Sequence, residues 1–225
     1  MDNQQKRSLR LNRSVIIKTA IIFIASYAVF LGIWLALPIE NYYGLLITKV
    51  ASNVIALIKG LDITEIVMNK DIVTVGFIPN QVGLTQIIKT TIDVPTGNYA
   101  FNVPLTLAIM AAFYPFIKSK WLYLEALVIL VVVHFLFVFS LEGQKITAVF
   151  DAQGFRQASS FSIIFWEFLW GFVDNMVVRF EPFLIGAYLF LLRNRVRTKK
   201  VKPEKVVEKK APRQPQRKKK PKRKR

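Results

Sequence analysis

The sequence predicts a mainly α-helical, integral membrane bundle carrying a small extracytoplasmic β insert. Three observations lead there. The 225 residues are 53% hydrophobic, with a mean hydropathy of +0.36, against roughly 45–50% in an ordinary soluble domain. The excess sits in runs of membrane length, such as LEALVILVVVHFLFVFSL at 124–141. Between 62 and 92 the texture changes to short β-branched runs.

The elements follow in order. Residues 1–14 form a basic N-terminus with Lys6, Arg7, Arg10 and Arg13. Val15–Leu37 is the first span, interrupted only by Lys18 near its start, where the side chain can snorkel. It exceeds the apolar core of a signal peptide and no small-x-small site follows, so an uncleaved anchor is expected. Residues 43–61 are apolar with helical spacing but carry Lys49, Asn53 and Lys59. An interfacial helix fits them, with a short extra span as the alternative. ITEIVM, DIVTVGF and LTQIIKTTI then read as two or three strands of a β unit over 62–92. A unit of that size cannot stand alone.

The stretch TIDVPTGNYAF at 91–101 ends the β unit. Asp93, Pro95, Thr96, Gly97 and Asn98 form a candidate functional turn. Pro95 and Gly97 reverse the chain, and Thr96 or Asn98 is placed to cap the next helix. Asp93 stands out as a candidate partner contact. Spans are expected over 102–117 and 121–141, joined by Lys118-Ser119-Lys120 as a tight hairpin. The fourth lies within 161–192, which as one helix would run roughly 48 Å, too long for one perpendicular crossing. A kink is expected near Pro182, which lacks a donor and crowds the Val178 carbonyl. The basic N-terminus, the 118–120 loop and the basic tail put both termini on the cytoplasmic side of an inner membrane.

Residues 193–225 hold 18 Lys/Arg and 2 acids, a net +16. Their composition predicts a disordered cytoplasmic tail. Next to a span, Arg193–Arg225 is expected to bind anionic lipid at the bilayer surface. Nucleic acid or ribosome is a less favoured partner, since the tail has no aromatic residue for base stacking.

Glu125, His134, Glu167, Asp174, Arg179 and Glu181 fall in or near spans, where ionisable groups raise functional hypotheses. Glu167, Asp174 and Glu181 recur every seven residues and would share a helical stripe with about 20° of drift per step. That stripe would line a polar cavity or cation path, or its ends would sit near the two interfaces while Asp174 pairs with a neighbour. His134 is the sole His and there is no Cys. No metal site is therefore expected, and no phosphate-binding Gly-rich loop signals a cofactor. Trp166 and Trp170 are expected to anchor at an interface, with a helix–helix contact as the alternative.

The order of parts resembles the exosortase/archaeosortase family over residues 15–192. The carriers are the apolar first span, Asn53, Ala56 and Gly60 in NVIALIKG, the short β-rich insert, PTGNYAFNVPLTLAIMAAFYP, and a last span after an outer loop. The resemblance implies a multi-pass bundle and, in the family, a membrane cysteine transpeptidase or peptidase with Cys, Arg and His. Here Pro95 stands at the Cys position, Phe137 near the Arg position, and FWEFLWGFVDN lacks the His. This implies a degenerate member with no catalytic residue. The expected function is a non-catalytic scaffold or accessory subunit of a membrane complex, with a membrane-protein partner. A peptidase with a substituted Thr nucleophile and a transport or ion-path subunit are the alternatives.

Overall fold

The computed structural model describes residues 13–80, 89–117, 119–154 and 158–200, with side chains to 192. In chain order the elements are α1 (Arg13–Ala36), α2 (Ile39–Lys59), β1 (Leu61–Asn69), β2 (Ile72–Pro79), β3 (Thr90–Pro95), a single turn α3 (Gly97–Ala100), α4 (Asn102–Phe113), α5 (Lys120–Ala152), α6 (Ser160–Phe172), a π-helical stretch (Val173–Val178) and α7 (Glu181–Lys200). Among the described residues, three helical stretches are long and apolar enough to cross a membrane: Arg13–Ala36, Lys120–Ala152 and Ser160–Val178.

α5 is the axis on which the rest is hung. Its 33 residues make a rod of roughly 50 Å. α2 runs parallel beside it, as three contacts in rising order show. Tyr43 meets His134, Ser52 meets Glu142, and Lys59 meets Thr147. The sequence reason is a stripe of small residues, Gly44, Thr48, Ser52 and Ala56, four apart on α2 and all buried. Small side chains at that spacing let two backbones approach closely. α2 stops at Gly60, whose φ of 66° is left-handed and whose N–H bonds the Ala56 carbonyl, an ending that favours glycine.

On the other side, α6 and α7 run antiparallel to α5. Trp166 packs on Phe139, Trp170 on Phe137, Glu181 on His134, and Tyr188 on Glu125. Gly143 is what admits Trp166: a Cβ there would fall inside the indole ring. α1 packs mainly on α4, and α4 on α7. Of α1 only Trp34 is buried, and Ile21, Ile24, Val29 and Leu35 face outward. An exposed apolar surface of that extent marks a membrane or partner contact.

The antiparallel sheet has the order β1-β2-β3. Val73, Val75 and Phe77 of β2, with Ile92 and Val94 of β3, are buried on one face, the period-two pattern of a half-covered sheet. That face lies on α2 and the outer part of α5. Lys145 reaches from α5 to the Asp93 carbonyl at 3.0 Å. Three strands of this length need such support to be stable.

Several expectations change. The helix expected over 43–61 runs from Ile39 to Lys59 and packs along α5 through its small-residue stripe. The strands cover 61–69, 72–79 and 90–95 where a β unit over 62–92 was expected, and residues 81–88 of that unit lie outside the described residues. Of the expected span 102–117, α4 covers twelve residues and ends at Phe113, before Pro115. The helix expected over 121–141 continues to Ala152, since its outer end is covered by the sheet and α6. The last helical region does begin at Ser160, close to its expected start, with Ser159 capping the Ser162 N–H. α7 continues to Lys200, so 193–200 are helical where a disordered tail was expected. The remainder of that tail, 201–225, and the N-terminal 1–12 lie outside the described residues.

The Gly143–Trp166 fit generates a prediction. Gly143→Val should lower stability by about 1–3 kcal/mol, the usual effect of overpacking. In detergent it should melt several degrees below wild type, whereas Gly171→Val, at a site with open space around its Cβ, should change little.

Candidate functional site

The most strongly determined polar feature is a cluster buried where α2, α4, α5 and α7 meet. It starts from one backbone fact. Pro182 has no N–H, so the Val178 carbonyl cannot receive its helical bond. Asn102, the first residue of α4, donates its side-chain Nδ2 to that carbonyl at 2.7 Å. The chain thus leaves its π-helical stretch, turns through Arg179 and Phe180, and restarts as α7 with Glu181 aimed inward.

Glu181 is 1% exposed and His134 0%. Glu181 Oε2 lies 2.8 Å from His134 Nε2 and accepts a longer bond from Asn102 Nδ2 at 3.4 Å. On the other side of the ring, Tyr43 Oη lies 2.6 Å from Nδ1. The assignment that serves every partner has Nε2–H donating to the carboxylate and the Tyr43 O–H donating to Nδ1. Burial, then the Glu181 carboxylate, then Tyr99, push the Tyr43 phenol above its ordinary pKa, so it stays a neutral donor. The Tyr99 phenol is likewise raised, first by burial. The Tyr99 ring lies tilted at 5.0 Å from His134 and 5.2 Å from Phe137, and Phe137 meets Trp170 at 5.0 Å. These aromatic rings wall the pair off from water.

One helical stage outward on α5 lies a second buried acid, Glu142. Ser52 Oγ is 2.6 Å from its Oε1 and 2.7 Å from the Thr48 carbonyl. The hydroxyl has a single hydrogen and serves one of them at a time.

The predicted residues are dispersed. Asp93 is exposed on the sheet, where Thr74 Oγ1 donates to its carboxylate at 2.7 Å. Pro95 ends β3. Thr96 is buried, and both its N–H and its Oγ1 donate to the Asp71 carbonyl at 2.8 Å. Neither Thr96 nor Asn98 caps a helix through its side chain: the Thr96 hydroxyl is spent on Asp71, and its methyl lies against Gly44, where a Cβ would clash. Gly97 opens α3 and Asn98 is exposed. Glu125 accepts from Tyr188 Oη at 2.5 Å, and Arg179 pairs with Asp174 at 3.6 Å.

The single acid stripe does not form. Glu167 is exposed, Asp174 is half-buried beside Arg179, and only Glu181 reaches the core. A π-helical turn and the break at 179–180 rotate everything after them out of the seven-residue register. Trp166 and Trp170 pack into α5, the helix–helix contact held as the alternative to an interfacial anchor. Among the described residues, no group of three or more His, Asp or Glu is arranged to hold a metal ion.

Sequence reasoning singled out His134 and Glu181 but not their partners. Tyr43, Asn102, Ser52 and Glu142 were passed over. The Gly44–Thr48–Ser52–Ala56 stripe was the available signal for the α2 partners, and Asn102, at the start of the helix that packs on α7, was the signal for the capped carbonyl. The chain matches no protein-family model, no curated protein and no solved structure.

Removing one partner of a buried ionisable pair costs about 3–5 kcal/mol. His134→Leu should therefore destabilise the protein by roughly that much, leaving the Glu181 carboxylate buried and unpaired. The double variant His134→Leu/Glu181→Leu should be more stable than the two single losses added together. Thermal melts of the four proteins of this cycle measure the difference.

Proposed function

We propose that this is a multi-pass inner-membrane protein, with both termini cytoplasmic, that works as a non-catalytic scaffold or accessory subunit of a membrane complex. The observation that carries the reading is how the candidate chemistry is used. Both ring nitrogens of His134 are engaged, by Tyr43 and Glu181, and His134 and Glu181 are shut off from solvent. The Thr96 hydroxyl, the nucleophile that a substituted peptidase would need, donates to a backbone carbonyl instead. A hydrolase needs an accessible nucleophile within reach of its base. These groups hold helices together.

The scaffold would present the outer face of the sheet, where Thr64, Thr91 and Asp93 are exposed, to a membrane-protein partner. The basic segment Arg193–Arg225 would hold anionic lipid on the cytoplasmic side. The likeness in element order to the exosortase/archaeosortase family supports the same arrangement, with Pro95 and Phe137 replacing its chemical groups. The split acid stripe gives an ion-path role no support.

Topology is directly testable because the chain has no Cys. Asn69→Cys in the β1–β2 turn should react with a membrane-impermeant maleimide added outside intact cells. Ser8→Cys should react only after permeabilisation. The opposite pattern would contradict the orientation. For the role itself, a photocrosslinking residue at Asp93 should yield one discrete adduct in membranes, and Thr96→Val should leave that adduct unchanged. Loss of processing of a membrane substrate in Thr96→Val, restored by Thr96→Ser, would instead establish the peptidase reading.

A further inference from the structure

The cleft at the outer end of α2, α5 and α6 has a chemistry that the scaffold reading does not use. It encloses about 400 Å³, and its lining includes Ile58, Lys59, Thr147, Phe150, Ser162 and Trp166. Lys59 supplies its charge. The ammonium donates to Thr147 Oγ1 at 2.5 Å and sits 4.7 Å from the centre of the Trp166 ring. Thr147 is itself fixed, because its hydroxyl donates to the Gly143 carbonyl at 2.6 Å. The cation is thus held at the cleft wall by two buried groups instead of trailing into solvent.

The opposite wall is the start of α6, a helix of 13 residues. Ser159 caps the Ser162 N–H at 3.2 Å, and the remaining first-turn N–H groups add partial positive charge on the same side. Among the described residues, no acidic side chain lines this cleft. Asp151 accepts from the Ala158 N–H at 3.2 Å, and Glu167 is exposed on α6. Both line a separate cleft of about 230 Å³ on the far side of Thr147 and Trp166.

The rim differs from the interior. Leu57 and Ile58 at the end of α2, and Phe161 and Phe165 on α6, are exposed, Leu57 by 83% and Phe161 by 78%. A cationic cleft with an apolar rim suits a molecule that has both an anionic head and hydrocarbon tails. We propose that this cleft binds the phosphate group of an anionic lipid from the outer leaflet, with Lys59 and Ser162 on the phosphate and the acyl chains lying along Phe161, Phe165 and Leu57. The proposal rests on the membrane placement above but not on the scaffold role, and it concerns the face opposite the basic tail. A soluble phosphate ester shares the headgroup chemistry, and the rim favours the lipid.

The test uses the full chain purified in detergent and titrated with phosphatidylglycerol, bound lipid being counted by native mass spectrometry. Lys59→Gln should weaken the tightest lipid-binding step by about tenfold or more, the scale of one lost charge-assisted hydrogen bond. Lys49→Gln, which removes the same charge from an exposed position of α2 outside the cleft, should leave that step unchanged. Ser162→Asp guards against a folding artefact: an acid in the first turn favours the helix yet repels a phosphate, so it should melt like wild type and still lose the lipid. Phosphatidylcholine should bind this step more weakly than phosphatidylglycerol. Equal retention in wild type and Lys59→Gln, or equal losses in Lys59→Gln and Lys49→Gln, would overturn the site. Displacement of the lipid by millimolar glycerol phosphate would overturn the lipid as its source and assign the cleft to a soluble phosphate.

Discussion

The contact between His134 and Glu181 is the constraint on which the rest of the bundle depends. Two ionisable groups are held 2.8 Å apart with almost no exposure, where an unpaired charge would be costly. Each therefore draws partners from its neighbours, and those contacts tie four helices together. His134 brings α5, Glu181 brings α7, Tyr43 brings α2 and Asn102 brings α4. Such a pair adds little net stability compared with an apolar replacement. What it specifies is register, because sliding any one of the helices by a turn would strand a buried polar group.

That register passes outward along α5. With Tyr43 fixed on His134, the small-residue stripe of α2 lies along α5 up to Lys59 on Thr147. The sheet follows directly from Gly60 and is seated by Lys145 and by Thr96 on Asp71 and Gly44. With Glu181 fixed on the other side, Trp170 and Trp166 fall on Phe137 and Gly143. A single polar core thus sets both the sheet platform and the cleft beside Lys59 and Trp166. The TIDVPTGNYAF segment becomes a structural joint. Its Thr96 links the sheet to α2, and its Tyr99 covers the buried His134.

How legible this was differed by type of signal. The apolar runs marked helical segments, and the β-branched runs after Gly60 marked the sheet, because burial leaves a strong imprint on composition. The break near Pro182 was legible from covalent chemistry alone. What failed were inferences that assumed an unbroken helical period. Glu167, Asp174 and Glu181 look collinear in sequence, and six residues of π-helix with a two-residue turn destroy that alignment. Trp166 reads as an anchor until Gly143, 23 residues earlier, is seen to leave room for it. Glu142 sits just beyond the expected end of a span, so nothing drew attention to it. Partner identity across helices is tertiary information, and a single sequence encodes it only through weak cues such as the Gly44–Ala56 stripe.

The central claim is that His134 is a bridged structural residue and not a free base. One measurement addresses it, made clean by the presence of a single His. In protein labelled with ¹⁵N-histidine, solid-state NMR reads the two ring nitrogens separately. The account predicts one protonated and one unprotonated nitrogen, with Tyr43→Phe shifting the signal of Nδ1 most and Glu181→Gln that of Nε2. Signals indifferent to both substitutions, or equal to those of imidazole in water, would contradict it.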